Sequence, residues 1–159
     1  MRIDQANADD VGGLAELLFL NSGQEERERQ SFDTFTSDLA QWWSAHEHTH
    51  FAFVARPARP AQPAPPHRPT IVGMAWVALV PRVPRPGDTT RMSADIQSVF
   101  VVPDQRGQGI GSALVQAASD FAIQRGAPRI TVHSGRRAVP LYERLGFESS
   151  RQLLQRPPK

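Results

Sequence analysis

Residues 99–112 read VFVVPDQRGQGIGS, and this stretch decides the fold. A β-rich run ends at Pro103, three glycines follow at alternate positions from Gly107 to Gly111, and an amphipathic helix is expected next. Glycine permits turns that other residues forbid and lets the backbone approach a ligand closely. The free N–H groups and the positive dipole end of the helix then favour an anion. The segment therefore predicts a loop that binds pyrophosphate.

Two other kinds of phosphate site do not fit this loop. A P-loop requires Gly-Lys-Ser/Thr, and the only lysine of the chain is Lys159. A dinucleotide-binding fingerprint carries an acidic residue about 20 positions further on. No acidic residue lies between Asp120 and Glu143. Nucleoside triphosphates and NAD are therefore poor fits.

Two segments resemble the GNAT superfamily of N-acetyltransferases. Residues 99–111 resemble its acetyl-CoA signature, whose core is Gln/Arg-x-x-Gly-x-Gly/Ala. The segment RAVPLYERLGF, residues 137–147, is similar to the family's Ala-x-x-Leu-Tyr-x-x-x-Gly-Phe. The resemblance covers roughly residues 94–148. It implies that an acetyl group moves from acetyl-CoA to a primary amine by direct attack in a ternary complex.

The resemblance also implies which groups hold acetyl-CoA. Main-chain groups of Val99 and Val101, beside a splay in their strand, would bind the thioester carbonyl and the pantetheine amide. Main-chain donors suit a developing oxyanion because they need no reorganisation. The loop N–H groups and Arg106 would hold the pyrophosphate, although an ordinary strand-to-helix turn could carry the same glycines. The predicted cofactor-binding residues are Val99, Phe100, Val101, Arg106, Gly107, Gln108, Gly109, Ile110, Gly111, Ser112 and Ser134.

Tyr142 is the predicted general acid. It is the only tyrosine of the chain and falls where the family places this residue. A phenol whose pKa lies near 10 suits protonation of a departing thiolate. The alternative is a core aromatic residue. Seven positions before Tyr142 the family often has an asparagine that binds pantetheine, but this chain has Gly135, preceded by Ser134. Either Ser134 replaces that asparagine or the contact is absent.

Asp95 is the predicted base. It lies four residues before Val99 on the same expected strand, where some family members carry a glutamate that deprotonates the amine. Strand alternation predicts that Asp95, Gln97, Val99 and Val101 share one face. The alternative is a carboxylate at a strand end that is solvated or ion-paired.

The order of elements, β-α-α-β-β-β-α-β-α-β, predicts an α/β (α+β mixed) fold, a GNAT-like single domain over 1–159 with a central twisted mixed sheet flanked by helices. Residues 21–30 are expected to form a loop, and six prolines predict a long mobile loop at 56–69. Predicted helices lie near 11–18, 31–45, 112–125 and 136–145. Predicted strands lie at 1–5, 51–56, 70–80, 92–102 and 128–133, with one or two more within 147–155.

Composition restricts the remaining function classes. There is no cysteine, so a disulfide framework, a thiolate metal site and a cysteine nucleophile are excluded. Net charge is only +2, and all but one of the 18 basic residues are arginines spread along the chain, so nucleic acid is not an expected partner. The chain lacks a long apolar run and a leader, which predicts a cytoplasmic protein away from membranes. The family resemblance alone makes a homodimer a possible assembly.

Several aromatic and histidine residues lie outside the two motifs. His46, His48 and His50 would share a face only in a strand, so we interpret them as a polar helix end and predict no metal. Trp42, Trp43, Trp76 and Phe35 are interpreted as core, although Trp76 would face the acceptor in this fold. The acidic residues of 25–28 alternate with arginine and are interpreted as a solvated face.

Two alternatives to the predicted activity stay open. A CoA-binding regulatory module with little or no turnover is compatible with the missing asparagine. A longer acyl-CoA could replace acetyl-CoA as donor. The acceptor could be a small amine, an antibiotic, a peptide N-terminus or a protein lysine.

Overall fold

The computed structural model describes residues 1–57 and 71–154. Within these ranges five strands and five helices follow one another as β1-α1-α2-α3-β2-β3-β4-α4-β5-α5. Short 3-10 turns at Ala8–Asp10 and Pro103–Gln105 precede α1 and the glycine loop. The strands are β1 (Arg2–Gln5), β2 (His50–Arg56), β3 (Gly73–Pro81), β4 (Met92–Val101) and β5 (Arg129–Val132). The helices are α1 (Val11–Asn21), α2 (Gln24–Glu28), α3 (Phe32–Ala45), α4 (Ile110–Gln124) and α5 (Val139–Arg144).

The strands form one mixed sheet in the order β1-β2-β3-β4-β5. The first four strands pair antiparallel, and β4 pairs parallel with β5. Helix α4 makes the crossover between these two parallel strands. This mixed α/β arrangement confirms the predicted fold class.

Each face of the sheet buries its own core. The α4 face carries the apolar side chains of alternate strand positions, such as Phe53, Ala75 and Val77, against α4 and α5. The α1/α3 face carries the intervening positions, such as Val54 and Met74, against α1 and α3. Both sides of β2 and β3 are therefore buried, which explains their continuous apolar sequences.

Local signals in the sequence explain the ends of three helices. The Ser31 side chain accepts a hydrogen bond from the Thr34 N–H and caps α3. Gly126 follows α4 with φ +80°, the left-handed conformation common after a helix C-terminus. Pro140 lies in the first turn of α5, where its missing N–H costs nothing.

Two segments differ from the predicted elements. Residues 24–28 form α2, because the Glu26 side chain accepts a hydrogen bond from the Gly23 N–H and closes the first turn. The described tail from Phe147 to Leu154 forms no strand, since its polar sequence leaves Leu153 and Leu154 exposed and without apolar partners to pack on. The predicted loop at 56–69 lies almost wholly outside the described residues and stays a prediction.

Within 1–57 and 71–154, no helix combines the length and the hydropathy that crossing a membrane would require.

Candidate active site

The glycine loop between β4 and α4 has the backbone that the sequence predicts. Gly107 has φ +79° and Gly109 has φ +77°, conformations that residues with a Cβ rarely adopt. A Cβ atom built at either position meets nothing within 4 Å, so conformation rather than space requires glycine there. Gly109 is the N-cap of the 15-residue helix α4. The first N–H groups of α4 therefore face an open, exposed loop.

Gly111 has a different role, because it lets α5 approach α4. A Cβ atom at Gly111 would lie 3.3 Å from the Leu141 side chain of α5 and 3.9 Å from that of Val101. Glycine at this position thus brings the first turn of α4, the end of β4 and α5 together. The next residue after Leu141 is Tyr142, so the predicted acid lies on the short helix that packs against the first turn of α4.

The strands β4 and β5 separate partway along β4. Their pairing ends at Ile96 and Val132, whereas β4 continues to Val101. The Val102 N–H donates to the carbonyl of Val72, just before β3, and main-chain groups alternate in direction along an antiparallel strand. The main-chain groups of Val99 and Val101 therefore point away from β3, into the gap.

One of these main-chain groups already has a partner. The Arg106 Nε donates to the Val101 carbonyl at 2.9 Å, and the Arg106 guanidinium lies 5.5 Å from the centre of the Phe100 ring. The gap thus presents the N–H groups of Val99 and Val101 and the Val99 carbonyl. Arg106 holds the chain at the end of β4 and keeps its positive charge next to the glycine loop.

Tyr142 lies in the α4-face core with only 7% of its surface exposed. Burial raises the pKa of Tyr142 above its ordinary value of 10.0, so the phenol is protonated at neutral pH. Its ring contacts Phe147 edge to face at 5.5 Å between centroids. Among residues 1–57 and 71–154 no group hydrogen-bonds its hydroxyl.

Tyr142 and Ser134 line the same cavity of about 510 Å³ along the free edge of β5. The Ser134 hydroxyl donates to the Gly135 carbonyl at 2.9 Å. Its donor is therefore used within its own turn, although its oxygen can still accept a hydrogen bond. Ser134 is close to where the resemblance places it but does not present a free donor.

A β-bulge overturns one expectation about Asp95. Trp76 pairs with Ser98 and Val77 pairs with Ile96, so Gln97 has no partner on β3. One extra residue reverses the alternation of the strand beyond it. The predicted common face for Asp95, Gln97, Val99 and Val101 is therefore wrong. Asp95 lies on the α1/α3 face, whereas Val99 and Val101 pack on the α4 face.

The Asp95 carboxylate is held from the neighbouring strand. The Thr131 hydroxyl lies 2.9 Å from Asp95 Oδ1 and 3.3 Å from the Ala94 carbonyl. Asp95 is half-buried and has no ion-pair partner among the described side chains. A carboxylate with free lone pairs beside the strand gap can accept a proton.

His46, His48 and His50 do not form a common face. His48 is exposed beside Glu47, while His46 and His50 lie 5.5 Å apart between ring centres. In the described ranges no group of three His, Cys, Asp or Glu side chains could hold a metal ion. His46 and His50 instead contact Trp42, a cluster that the sequence analysis did not predict. Its only sequence signal is the four-residue spacing of Trp42 and His46 at the end of a helix.

A family model and several known proteins match this chain. The model of the acetyltransferase (GNAT) family matches residues 16–147. An uncharacterized N-acetyltransferase of Methanocaldococcus jannaschii is 43% identical over 61 residues, which are 36% of this chain and 27% of that protein. The matched segment thus spans little more than a quarter of that curated relative. Because the family model covers well over half of the chain, the protein belongs to the GNAT family of acetyltransferases.

Solved structures support the same fold. The crystal structure of an acetyltransferase from Trypanosoma brucei has a TM-score of 0.74 and 23% identity, with 99% of each chain covered. A predicted acetyltransferase from Clostridium acetobutylicum, solved with acetyl-CoA, has a TM-score of 0.69 and 17% identity, covering 98% of this chain and 95% of that one.

Proposed function

We propose that this protein transfers an acetyl group from acetyl-CoA to a primary amine by direct attack in a ternary complex. The observation that carries the proposal is the opening between β4 and β5, into which the main-chain groups of Val99 and Val101 point and beyond which β4 leads into the glycine loop and α4. Family membership supports the same chemistry. Acetyl-CoA would supply the acetyl group as an activated thioester.

The residues of the loop fit the anionic end of acetyl-CoA. Positive φ at Gly107 and Gly109 leaves the backbone exposed, and the N–H groups of 107–112 lie at the positive end of α4. Arg106 adds a cation at the same place. The N–H groups of Val99 and Val101 would bind the pantetheine amide and the thioester carbonyl, where preorganised donors stabilise developing negative charge.

Tyr142 and Asp95 would move the two protons of the reaction. The amine nitrogen attacks the thioester carbon, the C–S bond breaks, and the electron pair goes to sulfur. The Tyr142 hydroxyl donates a proton to that sulfur, and its raised pKa keeps it protonated until then. Asp95 accepts the proton that the amine loses, directly or through water. The absence of cysteine agrees with attack without an acyl-cysteine stage.

The bulge at Gln97 lets β4 contact both substrates, the amine on one face and acetyl-CoA in the gap. Asp95 faces the α1/α3 side, while the main-chain groups of Val99 and Val101 face the gap. An amine approaching from the α1/α3 side would therefore meet Asp95 first and then the thioester in the gap. This separation favours a complex in which both substrates are bound together.

The test is calorimetry with acetyl-CoA, followed by an amine panel in which free CoA thiol is measured. We expect binding in the micromolar range and thiol release that depends on the amine. No binding of acetyl-CoA by the folded protein would overturn the proposal. A CoA-binding regulatory module is the second candidate, because Ser134 does not present the donor expected at this place. Binding without product on any amine would favour it.

A further inference from the structure

An aromatic wall lies on the α1/α3 face next to Asp95. It consists of Trp42, His46, His50 and Trp76. The Trp42 ring stacks on His46 at 4.7 Å and meets His50 and Trp76 edge to face at 4.8 and 6.1 Å. Trp42 stays 40% exposed, although large aromatic side chains gain free energy when they are buried. The wall therefore has one uncovered flat surface.

The wall continues into a row of side chains across the sheet. His50 pairs with Ala78, Ala78 with Asp95, and Asp95 with Thr131. Paired residues share a face, so all four lie on the α1/α3 face. Since adjacent strands are about 4.8 Å apart, His50 and Asp95 flank the small Ala78 with roughly 10 Å between their Cα atoms. The row thus leads from an aromatic surface to a carboxylate.

Two hydrogen-bonding groups of the wall lack a partner. The Trp76 Nε1 is buried and has no hydrogen-bond partner among the described residues, although Trp76 is only 4% exposed. An unsatisfied buried donor is unfavourable, and a ligand atom that accepts its hydrogen bond offsets that cost. The Thr49 hydroxyl lies 3.2 Å from the His46 carbonyl and 2.9 Å from the His50 Nδ1. When the hydroxyl donates to the carbonyl, the His50 Nδ1 donates to Thr49 and the His50 Nε2 can accept a hydrogen bond.

We propose that the aromatic wall binds the acceptor, and that the acceptor is a primary amine on a flat aromatic body. The ring would pack on Trp42, and the amino group would contact the accessible parts of the half-buried His50 and Asp95. This inference rests on the proposed acetyl transfer and specifies its substrate class. It differs from an amino sugar phosphate, for whose phosphate the wall offers no cationic side chain, and from a lysine peptide, whose acceptor side chain has no ring to pack on Trp42.

The charge of the row suits such an amine. Burial, and then the neighbouring His46, lower the pKa of His50 below its ordinary value of 6.5, so this ring is uncharged at neutral pH. The groups that face it are His46 on α3 and, beyond Ala78, Asp95 on β4. An ammonium group would therefore approach an uncharged imidazole and a carboxylate, and neither group repels it.

The experiment compares phenethylamine and tyramine with glucosamine 6-phosphate and a lysine peptide, following CoA thiol release and product mass. We expect kcat/KM for the aromatic amines to exceed that for the other two by about tenfold or more, the effect of burying one ring. Folded protein that binds acetyl-CoA but prefers the sugar phosphate or the peptide would overturn this inference and leave acetyl transfer standing. Failure to bind acetyl-CoA would overturn both.

Binding can also be measured without turnover. All three tryptophans of the chain, Trp42, Trp43 and Trp76, lie at or beside the wall, so tryptophan emission, excited at a wavelength that Tyr142 does not absorb, reports it. Phenethylamine should change this emission saturably in the presence of coenzyme A, which has no acetyl group to transfer. A signal without saturation by the aromatic amine would contradict the site.

A matched pair of variants on α3 locates the site. Trp42→Ala should raise KM for phenethylamine about tenfold while the Kd of acetyl-CoA stays unchanged, because only ring packing is lost. Trp42→Phe should restore most of the affinity. Phe32→Ala is the control, since Phe32 is on the same helix and equally exposed at 39% but contacts Phe19 instead of the wall. Equal KM values for the wild type and Trp42→Ala would overturn the assignment.

Discussion

The glycine loop and the aromatic wall are built from different parts of the chain. The loop at 106–112 presents main-chain N–H groups, and its glycines act through backbone conformation. The wall presents side chains from α3, β2 and β3, brought together by strand pairing. This difference predicts that substitutions in the two regions have different effects. Backbone changes should impair cofactor binding, whereas side-chain changes should impair acceptor use or chemistry.

Tyr142→Phe is expected to have the largest effect and tests whether chemistry depends on a side chain. Loss of a general acid lowers kcat by about 100-fold, while the Kd of acetyl-CoA stays unchanged. Since no described residue bonds the hydroxyl, the thermal midpoint should not fall. Steady-state kinetics, calorimetry and thermal unfolding check the three expectations. Wild-type kcat would remove Tyr142 from the mechanism.

Asp95→Asn tests whether the carboxylate of β4 takes up the proton of the amine. We expect kcat/KM to fall about tenfold or more at neutral pH, because the amide cannot accept the amine's proton. The pH–rate profile should also change, because the variant lacks the carboxylate that takes up the amine's proton. Thr131→Val is the control, since it removes only the hydroxyl that contacts Asp95 and keeps the carboxylate. A profile identical to that of the wild type would assign the proton to another group.

Gly109→Ala tests whether the glycine loop binds acetyl-CoA. At φ +77° an added Cβ costs about 1 kcal/mol, and the distorted loop should weaken acetyl-CoA binding roughly tenfold. Gly126→Ala is the matched control, because Gly126 has φ +80° and equally free space but lies at the far end of α4. It should lose similar stability with unchanged Kd. Equal Kd values in the two variants would mean that the loop does not contact the cofactor.

The titration of Tyr142 has the smallest expected effect. Its pKa is raised by burial, so above pH 10 the unfolded chain loses the phenolic proton before the folded one does. Folding stability from this group is therefore complete below pH 10 and declines as pH rises further. Since Tyr142 is the only tyrosine, the absorbance of tyrosinate reports it directly. A folded-state midpoint at or below that in denaturant would contradict the burial of this phenol.

Much of the glycine loop and of the helix boundaries could be predicted from the sequence, because each depends on residues that lie close together in the chain. Ser31, Gly126 and Pro140 mark helix ends by their own chemistry, and the spacing of the three loop glycines predicts an exposed helix start. Helix α2 was missed because its cap uses the Glu26 side chain of a segment that otherwise consists of charged residues. The final strands predicted within 147–155 do not form in the described part of that range.

The α1/α3 face around Asp95 was predicted less well, since its geometry depends on pairing between segments that are distant in the sequence. The bulge at Gln97 leaves no sign in the composition of β4, and without it Asp95 is assigned to the wrong face. The row from His50 to Asp95 exists only because residues far apart in sequence occupy one rung of the sheet. The roles of Asp95, Tyr142 and the loop residues stay predictions until they are measured.

The unpaired Gln97 constrains how this strand can vary in length. Losing Gln97 itself would restore regular pleating and leave Asp95 and Val99 on their present faces. A one-residue change that kept the bulge would instead exchange the faces, and a two-residue change would keep the faces but shift the carboxylate along the strand by about 7 Å. Natural variation in length here should therefore be limited to the presence or absence of the bulge residue, with other length changes in the turn between β3 and β4.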